Sequence, residues 1–172
     1  ILFYVFVYTI WLKRKTPQNI VIGGASGALP PVIGWAIATN SISLESIAFF
    51  LIIFFWTPSH FWALSLYKAD DYKKAGIPML PVTNGIQDTK KNILIYSLLM
   101  IPTIVFPYYI GFVGEVFLTL SLLLTFYYNL ICYQLYNYKV GKFNIKKARH
   151  IFSYSIIYLF LIFVFFLVDK VL

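Results

Sequence analysis

Apolar residues in this chain run in blocks of roughly 18 to 22 without Lys, Arg or Asp, the length that crosses a hydrocarbon core about 30 Å thick at about 1.5 Å per residue. Blocks of this kind occupy 19–39, 45–66, 93–110, 116–138 and 148–168, and a shorter apolar stretch, Ile1 to Trp11, precedes them. The pattern predicts an all-α, polytopic transmembrane helix bundle of five full spans in a single domain. Ile1 to Ile10 reads as the tail of a helix already under way, and with no Met and no charged region before it the chain is read as a fragment, incomplete at its N-terminus. The 19–39 block is rich in small residues (Gly23, Gly24, Ala25, Ser26, Gly27, Ala28) and is interrupted by Pro30 and Pro31, which predicts a buried, broken helix.

The polar connections alternate in charge. Lys13, Arg14 and Lys15 lie in the first, Lys68, Lys73, Lys74, Lys90 and Lys91 in the third, and Lys139, Lys142, Lys146, Lys147 and Arg149 in the fifth, while the second and fourth carry none. The positive-inside rule then puts the basic loops in the cytoplasm, and a multi-pass protein of the cell inner (plasma) membrane is expected. With 60% hydrophobic residues, 20% aromatics and 12% charged residues, a water-soluble fold is excluded. The net charge of +8 is explained by topology, so no nucleic-acid partner is expected. Cys132, within an apolar block, offers neither a disulfide framework nor a thiol metal site.

Candidate chemistry concentrates between Trp56 and Val82, where a helix with an embedded histidine runs into a long polar loop, Tyr67 to about Asn92, with adjacent carboxylates among lysines. On a continuing helix Trp56, His60, Ala63, Tyr67 and Asp71 share one stripe. His60 would lie about 16 Å deeper than Asp71, implying a cleft from the surface into the membrane. Asp70 and Asp71 are candidates to hold Mg²⁺, which binds through one or two carboxylates plus substrate phosphate oxygens. Lys68, Lys73, Lys74, Lys13, Arg14 and Lys15 are candidates to neutralise a diphosphate leaving group. His60, ionisable within a span, is a functional-site candidate. Each has a plainer reading: the Asp-Asp pair as a solvated face, the lysines as topology, and His60 as a neutral histidine bonded to a neighbouring helix. His150 reads as interfacial, Asp88 and Thr89 as a helix N-cap before Ile93, and Glu45 as an acidic residue in the first turn of its helix. Asp169, Lys170, Val171 and Leu172 read as a tail.

The runs LKRKTPQNIVIGGASGALPPVIGW, WTPSHFWALSLYKADDYKKAGIPMLPV and ARHIFSYSIIYLF resemble, in order and spacing, the protohaem IX farnesyltransferases (haem O synthases) of the UbiA-type intramembrane prenyltransferases, over nearly the whole chain. The resemblance implies a nine-helix bundle with its site open to the cytoplasm, in which this chain begins late in the fourth helix. It places Lys13, Arg14, Thr16 and Asn19 before the fifth helix, Lys68, Asp71 and Tyr72 in the second polar motif, and His60 at the histidine of the sixth helix. From it follow Asp71, His60 and Tyr72 as catalytic, Lys13, Arg14, Lys68 and Lys74 as diphosphate-binding, His60 and Trp56 as haem-binding, Asn19 and Tyr67 as further polar site residues, and Asp71 with Asp70 at the metal. Mg²⁺ is the implied cofactor, haem b and farnesyl diphosphate are the implied substrates, and a haem-pathway enzyme is a further partner. Two departures stand out. The family commonly shows Pro-Pro-His where this chain has Pro58, Ser59, His60, and the DxxxD of the wider superfamily falls on Lys68 and Tyr72, leaving Asp71 as the main acidic group. The first Asp-rich motif is not in the chain.

In the implied reaction farnesyl diphosphate ionises to an allylic cation that a haem vinyl carbon attacks, water adding to the other carbon; His60 is either haem ligand or base. A UbiA-type prenyltransferase acting on an aromatic quinone precursor is one alternative. A non-catalytic haem or lipid transporter is another.

Overall fold

A computed structural model describes residues 2–13, 15–138 and 145–171; Arg14, Lys139 and Lys142 lie outside the described residues. Among the described residues every regular element is helical. Helix α1, Phe3–Leu12, is wound more widely than an α-helix, and the Lys13 N–H closes it onto the Tyr8 carbonyl five residues back at 2.8 Å. The 19–39 block is broken into α2, Asn19–Gly27, and α3, Pro30–Thr39. Pro30 and Pro31 restart the helix at its first turn, where a missing N–H breaks no intrahelical bond. The break is as expected, but the burial is not. In α2 only Asn19 and Gly24 are buried, and α3 has no buried residue.

Helix α4, Leu44–Tyr67, opens at Ser43, whose backbone N–H donates to the Ser46 hydroxyl at 3.3 Å, with Glu45 in the first turn. The stretch read as a long loop is mostly helical. It holds α5, Ala69–Lys74, and α6, Leu80–Thr83, and the first two turns of α7, Gly85–Tyr109. Asp88 and Thr89 are therefore not an N-cap. The cap position is Asn84, and the Thr89 hydroxyl instead donates to the Gly85 carbonyl at 2.8 Å. Gly85, at φ 86°, turns the chain into α7 several residues ahead of the apolar block, so turn chemistry sets this helix start.

Helix α8, Glu115–Tyr136, and helix α9, Ile145–Val171, complete the chain. Helices α4, α7, α8 and α9 close a ring in which each packs on the next, while α2 and α3 lie along the outer side of α4. The ring interior combines Ile52, Trp62, Met100, Ile104, Phe117 and Ile162 with a set of side-chain hydrogen bonds. Ser59 meets Tyr128 at 2.7 Å, Thr125 meets Tyr158 at 2.9 Å, and Ser97 donates to Asn129 at 3.0 Å. Polar groups away from water need such partners. Ser59 thus ties α4 to α8 across the ring.

The last residues are not a free tail. Asp169 lies in α9 and accepts the backbone N–H groups of Gly114 and Phe117 at 2.7 and 3.1 Å, capping α8 from another helix, and the Lys170 ammonium bonds the Phe112 carbonyl. Lys90, counted in the sequence among the topological charges, is fully buried and donates to the Tyr138 carbonyl at 2.7 Å beyond the C-terminus of α8. Among the described residues five spans are long and apolar enough to cross a bilayer, and their outward faces carry large apolar residues such as Leu123, Phe126, Phe160 and Leu167. The protein is membrane-embedded.

Candidate functional site

Two cavities meet between α1, α2 and α4. The outer one, about 200 Å³, is lined by Lys13, Asn19, Tyr72, Ile77 and Met79. The inner one, about 390 Å³, is lined by Gly23, Gly24, Gly27, Ile53, Trp56 and Thr57. Tyr8, Ile20 and Phe61 line both, so the polar outer cavity, or mouth, and the apolar, aromatic-walled inner one share a wall.

The mouth is built from three elements. Lys13 leaves the end of α1, Asn19 opens α2, and Tyr72 stands on α5. Asn19 is 1% exposed; its Nδ2 donates to the Lys13 carbonyl at 3.1 Å, which ties α2 to the end of α1, while its Oδ1 is buried without a partner. Burial holds the Tyr72 phenol above the ordinary tyrosine range; nearby Tyr67 and Asp71 push the same way, and Lys68 opposes them. Tyr72 therefore keeps its proton and can donate it to an anion. Beside it the Lys68 ammonium pairs with the Asp71 carboxylate at 3.0 Å, and both side chains are largely exposed. Asp70 and Lys74 are exposed at the same edge.

Among the described residues no group of three or more His, Cys, Asp or Glu side chains converges on one point. Asp70 and Asp71, exposed beside Tyr72 and outside the cavity lining, are hard-oxygen donors of the kind a cation completed by phosphate oxygens and water would use.

The helical stripe predicted from Trp56 to Asp71 stops at Tyr67, because α4 ends at Lys68 and α5 begins at Ala69. Its upper part faces α9. His60 lies between the rings of Trp56 and Phe152, at 4.3 and 4.6 Å between centroids, with its Nδ1 2.6 Å from the Ser155 hydroxyl. Ser155 in turn donates to the Phe152 carbonyl at 2.7 Å, so it accepts from His60 Nδ1–H. The lone pair then resides on Nε2. Trp56 Nε1 donates to the Ser155 carbonyl at 2.8 Å while its ring reaches the inner cavity, which places His60 directly behind the cavity wall. His150 is exposed, 3.3 Å from the Tyr127 hydroxyl.

The structure thus gathers Lys13, Asn19 and Tyr72 at the mouth, sets Lys68, Asp71 and Tyr67 alongside, and puts Trp56 in the inner wall. Several residues of the site carry no signal in the sequence. Tyr8 and Phe61 sit in apolar blocks indistinguishable from lipid-facing stretches. Arg149, read as a topological charge, lies over the Tyr67 ring at 5.3 Å. The glycine run was read as close packing, and that accounts for Gly23, where a Cβ would meet the Tyr8 ring at 2.6 Å, and for Gly24, where it would meet Thr57 at 3.1 Å.

Comparison with known proteins adds the family. The UbiA prenyltransferase family model matches residues 1–157. The protoheme IX farnesyltransferase of Pelagibacter ubique (strain HTCC1062) is 76% identical over 172 residues, 100% of this chain and 57% of that protein. Proteins of the same name are similar at 52% over 163 residues in Azorhizobium caulinodans, covering 95% of this chain and 53% of theirs, and at 49% over 172 residues in Parvibaculum lavamentivorans, covering 100% and 54%. The chain spans about half the length of the curated relatives it matches. No solved structure matches it. The family match takes in every residue of the mouth and of the inner cavity, and the chain belongs to the UbiA prenyltransferase family.

Proposed function

We propose that this chain supplies the diphosphate mouth and the prenyl cavity of an enzyme that transfers farnesyl from farnesyl diphosphate to a vinyl group of haem b, releasing diphosphate and making haem O. The observation that carries the reading is the adjoining pair of cavities: Lys13, Asn19 and Tyr72 beside an apolar interior suit an amphiphile with an anionic head. The relatives' shared name directs the choice of donor and acceptor.

The head group sits at the mouth. The Lys13 ammonium and the Tyr72 O–H meet its oxygens, and the C–O bond to the first farnesyl carbon breaks with its electron pair leaving on diphosphate. Positive charge fixed where that negative charge develops lowers the barrier, because neither group must reorganise during the step. Asp71 with Asp70 would hold Mg²⁺, which would supply further neutralisation of the leaving diphosphate. The faces of Tyr8, Trp56 and Phe61 line the space where the allylic cation forms and attract it. A vinyl carbon of haem then bonds to the first farnesyl carbon, water bonds to the other vinyl carbon, and a proton departs. His60 Nε2 takes that proton or binds the haem iron. Arg14, Lys68 and Lys74 add positive charge around the head group. The basic loops face the cytoplasm of the inner membrane, and a haem-pathway enzyme is the partner that would hand over the acceptor.

The test uses the full-length protein in membranes with haem b, farnesyl diphosphate and Mg²⁺, read by mass spectrometry. A hydroxyethylfarnesyl haem is expected. Prenylation of a phenolic acid in place of haem would overturn the acceptor, and absence of diphosphate release with either would overturn the enzyme.

A further inference from the structure

The buried side-chain pairs inside the ring join hydroxyls, phenols and amides, with one exception. Among the described residues only the pair of His60 on α4 and Ser155 on α9 brings in an imidazole. Ser155 is fully buried and does not need the histidine, because its hydroxyl proton already goes to the Phe152 carbonyl one turn back at 2.7 Å. His60 does need the serine. A ring N–H away from water is destabilising without an acceptor, and the Ser155 oxygen, 2.6 Å from Nδ1, is that acceptor. With its one proton engaged, the hydroxyl cannot donate in return.

The same residue fixes the ring in a second way. Its backbone carbonyl accepts Trp56 Nε1 at 2.8 Å, and Trp56 stacks on the imidazole 18° from parallel, while Phe152 stacks on it at 23°. With its faces covered and Nδ1 bonded, the imidazole has the Nε2 lone pair left for chemistry. A ligating histidine is held in this manner, its other nitrogen donating to an oxygen that sets tautomer and orientation. The Nδ1 partner is a neutral hydroxyl and not the carboxylate that backs the proton-accepting histidine of a Ser-His-Asp triad. The arrangement therefore favours a neutral ligand over a base.

We propose that Ser155 is a positioning residue that holds His60 as a neutral haem ligand, bonding the iron through Nε2. This rests on the reading of haem as the acceptor. Ser155 acts through His60.

The experiment titrates haem b into full-length protein in its unsubstituted form and carrying Ser155→Ala, Ser155→Cys, His60→Ala or both alanines, and reads affinity and the Soret band from the absorption spectrum. Ser155→Ala is expected to weaken haem binding about 10- to 100-fold, the usual effect of removing the group behind a metal-ligating histidine, and to shift the Soret band. In the His60→Ala background Ser155→Ala should change nothing further, because the residue through which it acts is gone. Unchanged affinity and spectrum in Ser155→Ala overturn the proposal. So do losses that add in the double variant, the mark of a scaffold role, and so does His60→Ala that binds haem normally. Should Ser155→Ala not fold, Ser155→Cys decides: its thiol occupies similar space but accepts more weakly, and an unchanged haem affinity counts against Ser155. Unsubstituted protein that releases diphosphate without taking up haem b overturns the acceptor reading itself, a result distinct from these.

Discussion

Helices α4, α7, α8 and α9 close a ring fastened through its interior by hydrogen-bonded side chains, whereas α1, α2 and α3 lie along one side of α4 with little buried between them. In the apolar window of α4, 44% of residues are buried, against 11% in 19–39. The candidate site lies on the loosely packed side, using α4 as its rigid wall. In hydrocarbon the hydrophobic effect gives helices no reason to associate, so the ring depends on close packing and on polar pairs such as Ser59–Tyr128 and Ser97–Asn129. On the other side Gly23 and Gly24 let Tyr8 and Thr57 approach the α2 backbone closely.

Substitutions on the two sides are expected to have different consequences. The largest effect belongs to the mouth. Lys13→Ala in the full-length protein is expected to lower kcat for diphosphate release by about 10²- to 10³-fold, the cost of losing one group that stabilises developing charge. Its thermal unfolding midpoint should not move. A shifted midpoint with near-normal turnover would make Lys13 part of the scaffold and erase the contrast.

The reverse behaviour is expected at Asp169. Asp169→Ala leaves the Gly114 and Phe117 N–H groups uncapped and should cost about 0.5–2 kcal/mol of stability in detergent unfolding, with turnover retained. Tyr128→Phe should cost about 1 kcal/mol, because Ser59 keeps its bond to the Trp56 carbonyl and loses only the phenol. A tenfold loss of turnover in either variant at unchanged stability would place the chemistry in the ring.

The smallest effect concerns pH. Tyr72 holds its proton above the ordinary tyrosine range, so the donor form persists beyond about pH 10 and activity should decline only above that value. As pH rises past the unfolded value, the unfolded chain ionises first, and folding stability falls through that window. Tyr72→Phe should lower turnover at every pH and remove the alkaline limb. An unchanged limb would assign it to another group.

The five spans were legible because each apolar block is long enough to cross a bilayer, and the break at Pro30–Pro31 was legible because proline cannot continue a helix from within. Helix starts were less so. Gly85 begins α7 by turn chemistry that apolar periodicity does not register, and Asp169 reads as a tail until α8 is placed against it. Lys13, Asn19 and Tyr72 could be named from the runs they occupy, but their convergence depends on α5 returning over α1 and α2. His60 and Tyr67 could be placed on one face of α4; that α9 covers this face through Ser155, Phe152 and Arg149 is a tertiary fact.

The central claim is that the prenyl chain lies between α1, α2 and α4. The most direct measurement is photolabelling of the full-length protein with a farnesyl diphosphate analogue carrying a diazirine on its terminal isoprene, followed by peptide mapping. The account predicts labelling around Gly27 and Ile53 that excess farnesyl diphosphate suppresses. Suppressible labelling confined to α8 and α9 would contradict it.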